Sequence, residues 1–389
     1  MKVILFYKKL TKAGGAERLL LNQYKWLKKK NYCVKVVCFE FKNNLFLDED
    51  LSVESSDIKI LGGQWFVSML KLFIYLFQNK AEIIVSSGVK EIFLASLITS
   101  NRYNLLLHHP LFMTLNETDK FSFFLKDKFN TMCKTNYGAH LFYDQMKSFN
   151  FIDYLKINFK ACISVPSIKF AKNIFVLSDY GKYEKKILFN KDAIVCRGAI
   201  KENVLKEMKF EKKNIDEIVC VSRLEDDKRI DVLLKSFKKL LEIYPSKKLI
   251  ICGTGSSKEN FKDIAISLGI SSNVIFKGFV SDIEIKSLYK SAYLFISLDW
   301  ADFKITLFEA LSYSQRILVS TETSAIDELE SINHMVRVKP DIESAFNGMM
   351  QIYQTESKAD YLLLRNFLDK YTWESYNKKL FKYVFEANN

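Results

Sequence analysis

Four segments of this chain combine residue types suited to holding an anionic or polyhydroxylated ligand, and each follows a short apolar run. In Ser222-Arg223-Leu224-Glu225-Asp226-Asp227-Lys228, an arginine and a lysine five residues apart can converge on one diphosphate, the arginine as a planar fork and the lysine as a point charge. Lys12-Ala13-Gly14-Gly15-Ala16-Glu17-Arg18 opens a helical pattern, where backbone N–H groups and unhindered glycines let an anion approach. A tight strand-to-helix turn needs the same glycines. Gly253-Thr254-Gly255-Ser256 offers backbone donors at another helix start, and it lacks the Gly-Lys-Ser/Thr ending of a P-loop, which argues against ATP hydrolysis. In the segment from Asp299 to Ala310, Glu309 falls near the start of a helix. A carboxylate there accepts hydrogen bonds from a sugar or ribose diol, or else occupies the favourable field of a first helical turn.

Such loops act only if strands and helices hold them at one edge. Apolar β-branched runs predict strands at 2–6, 34–39, 58–61, 82–86, 104–107, 173–177 and 193–196, and again at 217–222, 248–253, 273–277, 292–297, 316–320 and 335–338. Continuous rather than alternating apolarity marks strands buried on both faces of a parallel sheet. Between them run helical patterns, the clearest at 229–244, where Ile230, Leu233, Leu234, Phe237, Leu240, Leu241 and Tyr244 share one face ahead of Pro245. In parallel sheets of this kind ligands bind beyond the carboxyl ends of the strands, where the four segments lie. Two such series, divided by a polar stretch at about 198–215, predict an α/β chain of two Rossmann-like domains facing each other across a cleft. The expected divisions are 1–200, 201–372 and a final amphipathic helix, 373–389, returning to the first domain.

At 389 residues the chain is too long for one ordinary core, and its 49% apolar content excludes a disordered protein. Thirteen glycines and four prolines are too few for an all-β fold built on tight turns. The seven scattered cysteines include no Cys-x-x-Cys and no metal-ligand spacing, and Cys196, Cys220 and Cys252 close apolar runs, so they read as reduced core thiols in a cytosolic protein. The opening apolar run is too short for a signal peptide, and the stretch 65–77, interrupted by Ser68 and Lys71, is too short to span a bilayer. All of the +13 net charge lies in residues 1–200, with 30 Lys and Arg against 17 Asp and Glu, whereas the remainder is neutral. The first half therefore faces something anionic. Segments 121–129 and 149–160 mix lysines with phenylalanines, which suits a membrane interface; amphipathic helices with lysine stems on their outer faces have the same composition.

Taken in order, these segments resemble the retaining, nucleotide-sugar-dependent glycosyltransferases of family 4, whose fold is GT-B. The likeness is carried by GGAER at 14–18, VSRLEDDKRIDVLLKSF at 221–237, IICGTGS at 250–256, NVIFKGFV at 273–280, ITLFEAL at 305–311 and YTWE at 371–374. It is strongest over 215–330. The resemblance implies that Arg223 and Lys228 hold the donor diphosphate and that Glu309, matching the second Glu of an E-x7-E motif, contacts the donor ribose. It implies further that Gly14, Gly15, Gly253 and Gly255 lie beside the donor, with Asp302, Phe303, Lys304, Ile305 and Thr306 around it. His108 or His109 matches the family histidine on the acceptor side. The chain also departs from the pattern. Ala301 stands where the first Glu belongs, Asp302 and Lys304 replace glycines, and Ser314 and Arg316 replace a Gly and a Pro. Asp302 or Asp299 is the candidate to replace the lost carboxylate.

The implied activity is retaining transfer of a hexosyl or N-acetylhexosaminyl group from a nucleotide-diphosphate sugar to a glycan or glycolipid acceptor. The implied setting is synthesis of bacterial surface polysaccharide, lipopolysaccharide or lipid-linked oligosaccharide. Fixed cations and helix N-termini would neutralise the leaving group, so no metal and no other cofactor is expected. Asp48-Glu49-Asp50 has the form of the manganese motif of the other glycosyltransferase fold, but its polar setting reads as a solvated turn. The basic first half predicts a cytoplasmic protein peripheral on the inner face of the cytoplasmic membrane. Charge without a recognised module predicts no nucleic-acid partner. The competing readings are a degenerate transferase that binds a nucleotide sugar or a partner without turnover, and a nucleotide-sugar epimerase of the same fold.

Overall fold

The computed structural model describes residues 1–11, 14–42, 52–87, 89–97, 103–108, 159, 163–198, 200–206, 208, 213–313, 316–323, 335–355 and 361–386. The first apolar series forms β1 (Lys2–Phe6), β2 (Lys9–Leu10), β3 (Cys33–Cys38), β4 (Glu40–Phe41), β5 (Ile58–Ile60), β6 (Glu82–Val85), β7 (Tyr103–Leu107), β8 (Asn173–Val176) and β9 (Ile194–Val195). Seven of these make one sheet in the order β5-β3-β1-β6-β7-β8-β9, while β2 and β4 pair with each other. Every pairing described is parallel, with Val3 opposite Val34 on one side and Glu82 on the other. The second series forms β10 (Asn214–Val221), β11 (Lys248–Cys252), β12 (Val274–Gly278), β13 (Ala292–Ser297), β14 (Arg316–Ser320) and β15 (Met335–Val338), in the order β12-β11-β10-β13-β14-β15, again parallel. This is the expected α/β architecture of two Rossmann-like parts.

Continuous apolarity is explained by burial on both faces: Val3 to Phe6, Ile218 to Cys220 and Leu294 to Ile296 are all buried. The helix Ile230–Ile243 buries Ile230, Leu233, Leu234, Phe237 and Leu240 against β10 and β11 residues such as Ile218 and Leu249, along the predicted face. Four cysteines, Cys38, Cys196, Cys220 and Cys252, are buried free thiols, and burial pushes Cys220 up to about 12; Cys33 is exposed. Cys133 and Cys162 lie outside the described residues.

The chain divides into Met1–Arg197 with Tyr376–Asn389, and Gly198–Ser375. The 198–215 stretch, expected as a polar connection, contains the short helix Glu202–Lys206 and the start of β10. Of its apolar side chains, Ile200 and Leu205 are buried in one cluster with Leu364 and Phe367, and Val204 and Met208 pack on it, which is why it folds into the second unit. The helix Trp373–Glu386 starts where Trp373 N–H donates to the Ile200 carbonyl at 2.9 Å. From Tyr376 it belongs to the first unit: Gln23 donates to the Tyr376 hydroxyl at 2.8 Å, and Phe381 stacks on Trp26 with centroids 5.0 Å apart. No helix is long and apolar enough to cross a membrane among the described residues.

Candidate functional site

In each sheet the strand order reverses once, and the loops flanking that point converge on it. In the second sheet β10 runs outward to β11 and β12 on one side, and the chain then returns to lay β13 on the other side of β10. The crevice beyond the carboxyl ends at such a switch point is where open α/β sheets take ligands. The two flanking loops, 222–229 after β10 and 298–304 after β13, hold most of the candidate residues of this unit.

At their junction Lys228 lies 3.1 Å from Asp299 and 2.9 Å from Asp227. Lys304, in a position where the resembled family has glycine, also turns its ammonium onto Asp299 and onto Ser297, whose hydroxyl donates to the same carboxylate. One carboxylate, 3% exposed, is thus shared by two lysines. Burial opposes ionisation of Asp299, but the Lys304 and Lys228 charges outweigh it and bring its pKa down to about 2. Burial likewise opposes the Lys228 ammonium, and the Asp299 charge, followed by Asp227, outweighs it and raises the pKa. Lys228 and Lys304 balance Asp299 and Asp227, so these four side chains together carry no net charge, and Arg223 on the same loop is a further cation.

The 222–229 loop is fixed against its neighbours. Leu224 N–H donates to the Thr254 carbonyl at 2.9 Å and Ser257 N–H to the Leu224 carbonyl at 3.0 Å. Ser256 bonds Glu225 through its backbone and hydroxyl, which lowers that carboxyl's pKa, with a smaller contribution from Arg223; Ser257 donates to Asp226 at 2.6 Å. Gly253 and Gly255 permit this approach: a Cβ at 253 would overlap the Ser222 carbonyl and one at 255 the Leu224 backbone, and Gly253 also has φ +140°. The helix after them begins only at Lys258, so the glycines are not at its first turn. Gly253, Ser256, Ser257 and Lys258 N–H groups donate within the protein, leaving those of Thr254 and Gly255 without a partner among the described residues. Arg223 is exposed on the same loop.

The other candidates in this unit are structurally mixed. Asp302 is buried, whereas the Phe303 ring lies 4.8 Å from Phe308 and packs, like Ile305, on the core cluster. Thr306 is half-buried in the helix Ile305–Ser312. Glu309 is the fifth residue of that helix rather than a first-turn residue, because the helix starts after Lys304 rather than later; it is half-buried. Ala301 bridges to Thr323, whose hydroxyl donates to the Asp299 carbonyl at 3.3 Å.

Two residues that hold this junction were not singled out from the sequence. Arg229, in the left-handed region at φ 52°, donates to the Leu298 carbonyl at 3.0 Å and pairs with buried Glu322 at 2.6 Å. Glu322 comes two residues after β14, so inspecting each strand's carboxyl end would have found it.

The first sheet reverses between β1 and β6. Here Lys8 pairs with buried Glu91 at 2.6 Å, Trp65 Nε1 donates to the same carboxylate at 3.2 Å, and the Tyr7 hydroxyl donates to Glu17 at 2.9 Å. Of these Glu17 alone, within the segment 12–18, was picked out from the sequence, although Lys8 and Glu91 also follow strands. Gly14 precedes the helix Gly15–Lys29 in extended conformation, and the half-buried His108 follows β7, beside β6. His109, Lys12, Ala13, Ser314, Asp48-Glu49-Asp50 and nearly all of 121–129 and 149–160 lie outside the described residues. Among the described residues no group of three or more His, Cys, Asp or Glu side chains is placed to hold a metal ion.

Comparison with known proteins supports the two-part α/β fold. Solved structures superpose on the entire chain: the apo lipopolysaccharide outer core galactosyltransferase WaaB at TM-score 0.67 and 15% identity, covering 100% of both chains. Anabaena HepE in complex with UDP and glucose matches at TM-score 0.71 and 14% identity, covering 99% of this chain and 100% of that one. The fold is GT-B. Residues 201–362, in the second unit of this GT-B chain, match the family model for glycosyl transferases group 1. An uncharacterized glycosyltransferase of Methanocaldococcus jannaschii is 27% identical over 167 residues, 42% of this chain and 43% of that protein. The alpha-monoglucosyldiacylglycerol synthase of Streptococcus pneumoniae is 30% identical over 145 residues, 35% of this chain and 33% of that one. The chain thus matches less than half the length of these two relatives.

Proposed function

We propose that this GT-B protein is a retaining family 4 glycosyltransferase that moves a hexosyl or N-acetylhexosaminyl group from a nucleotide-diphosphate sugar to a glycan or lipid-linked acceptor. The observation that carries the reading is the cluster of Lys228 and Lys304 on Asp299 at the switch point of the second sheet, with exposed Arg223 on the adjoining loop. The group 1 match over the same unit and the UDP complexes of the HepE neighbour support a nucleotide-sugar donor.

In the reaction the bond between the anomeric carbon and the leaving phosphate oxygen breaks, and a bond to the acceptor hydroxyl oxygen forms on the same face. The acceptor proton passes to the departing phosphate. Arg223 and Lys228 compensate the charge that grows on the diphosphate, and Asp299 keeps Lys228 protonated and aimed before the donor arrives, so little reorganisation is needed. Glu309 is the candidate for the ribose, His108 or His109 for the acceptor side, and no metal is required by this scheme.

The charge excess of residues 1–200 supports an acceptor carried on a lipid at the inner face of the cytoplasmic membrane, in surface-glycan or lipopolysaccharide synthesis. Mass spectrometry of the purified protein with a panel of nucleotide sugars tests the activity. Turnover of one donor is expected, with Arg223→Ala and Lys228→Ala each costing about 2–4 kcal/mol in kcat/KM. Wild-type kcat/KM in both variants would refute the site. Ala301, and Lys304 in a glycine position, favour one second reading, a transferase-like protein that binds donor without turnover; donor binding with no product from any acceptor would establish it.

A further inference from the structure

The helix Trp65–Gln78 is apolar on two opposite sides. Ser68, Met69, Leu72 and Leu76 are buried, the two leucines in one cluster with Ile4, Val37 and Ile83 of the first sheet. Phe66 and Phe77 are 64% and 62% exposed, and Val67, Leu70 and Ile74 are exposed as well. At about 100° per residue these five fall within an arc of roughly 100° on the side away from the buried four. Phe73 stacks with Phe77 at 6.4 Å at the edge of this arc, and Ile60 on neighbouring β5 is also exposed. Scattered exposed apolar residues need no explanation, but a continuous face of this kind marks an interaction surface.

Charge selects the occupant. Residues 58–80 contain three lysines, Lys59, Lys71 and Lys80, all exposed, and no Asp or Glu. A second copy on a two-fold axis would set the same patch against itself and bring these lysines together without a counter-charge. An anionic bilayer satisfies both features: aromatic and branched side chains enter the boundary of the acyl layer while lysine stems reach the phosphates. Fourteen residues are too short to span the bilayer, so the helix would lie in its plane.

We infer that the outer face of this helix seats the first unit on an anionic lipid surface by inserting Phe66, Leu70, Ile74 and Phe77. This deepens the reading of a lipid-borne acceptor and rests on it for the surface at which the protein works.

Co-sedimentation with vesicles of phosphatidylcholine alone, and of an equal mixture with phosphatidylglycerol, tests it. The wild type is expected to bind the mixed vesicles, more weakly as salt rises, and not the neutral ones. The triple variant Phe66→Ser, Leu70→Ser, Phe77→Ser is expected to lose at least about tenfold in affinity with an unchanged urea midpoint. Equal binding of that variant overturns the role of this helix and leaves the lipid-borne acceptor standing. No binding by the wild type to either vesicle overturns both. A wild-type dimer in sedimentation velocity that the triple variant converts to monomer overturns the inference in favour of a second copy. If the triple variant does not fold, Phe77→Trp decides: quenching of its fluorescence by brominated acyl chains beyond that of the wild type is expected, and no added quenching overturns the inference.

Discussion

Replacing Asp299 by asparagine removes one negative charge from between two ammonium groups and keeps the side chain's shape. The carboxyl is drawn from 3.8 to about 2 in the folded chain, a change of roughly two units, or about 2–3 kcal/mol at about 1.4 kcal/mol per unit. Lys228 and Lys304 are only 15% and 10% exposed, so the asparagine leaves Lys304 without its carboxylate and Lys228 with Asp227 alone. Breaking a buried pair by removing one partner typically costs about 3–5 kcal/mol. The variant should therefore lose about 3 kcal/mol of stability in the second unit at neutral pH. The pH dependence has a definite sign. The folded-state pKa lies below the unfolded one, so the contribution of Asp299 is complete above about pH 5 and is lost as pH falls through 3.8 toward 2. Lys228 has a raised pKa, so its share is present below 10.5 and is lost as pH rises beyond it. Wild type and variant should therefore differ most between about pH 5 and 10 and converge in acid. Two units cannot be treated as one two-state transition, so the assay is urea unfolding followed by Trp300 and Trp373 fluorescence in a background with Trp26 and Trp65 changed to phenylalanine. A gap under about 0.5 kcal/mol at pH 7, or an equal gap at neutral and strongly acid pH, would refute the shared-carboxylate account.

Gly255→Ala should cost at least about 3 kcal/mol in the same assay, since the atom it meets is Leu224 backbone that cannot rotate away; a loss below about 1 kcal/mol would contradict the loop packing. Arg229→Ala and Arg229→Gly both lose the Glu322 pair, but only glycine relieves the left-handed backbone, so the glycine variant should be more stable by about 1 kcal/mol; the reverse order would contradict that strain. Phe381→Ala should cost about 3–5 kcal/mol in the first unit and expose the final helix to early proteolysis; wild-type protease resistance would show that the stack on Trp26 does not hold that helix.

The strands were legible because burial on both faces leaves an unbroken apolar run, and β1, β13, β14 and β15 begin and end where those runs do. The helix Trp373–Glu386 was legible from its period. What the sequence conceals is adjacency created by strand order. Arg229 meets Glu322 across 93 positions and Lys8 meets Glu91 across 83, and nothing local to either residue announces the pair. Lys228, Asp299 and Lys304 come together only because β13 returns beside β10. The glycines of 253–255 illustrate the opposite limit. They were read as backbone donors at a helix start, but the structure packs them against Ser222 and Leu224 of the protein itself, leaving the Thr254 and Gly255 N–H groups without a partner among the described residues. Glu309 was placed near the start of a helix, but the sequence did not fix that helix's first residue, and one turn separates a dipole position from a mid-helix one.

The most direct test of the proposed donor site is calorimetric titration of the purified protein with a nucleoside diphosphate and with the matching nucleoside. If the second unit holds its donor by the diphosphate, the nucleoside should bind at least about 100-fold more weakly, and Arg223→Ala and Lys228→Ala should each weaken only the diphosphate, by about 10–100-fold. Equal affinity for nucleoside and diphosphate, or diphosphate binding unaltered in both variants, would contradict it.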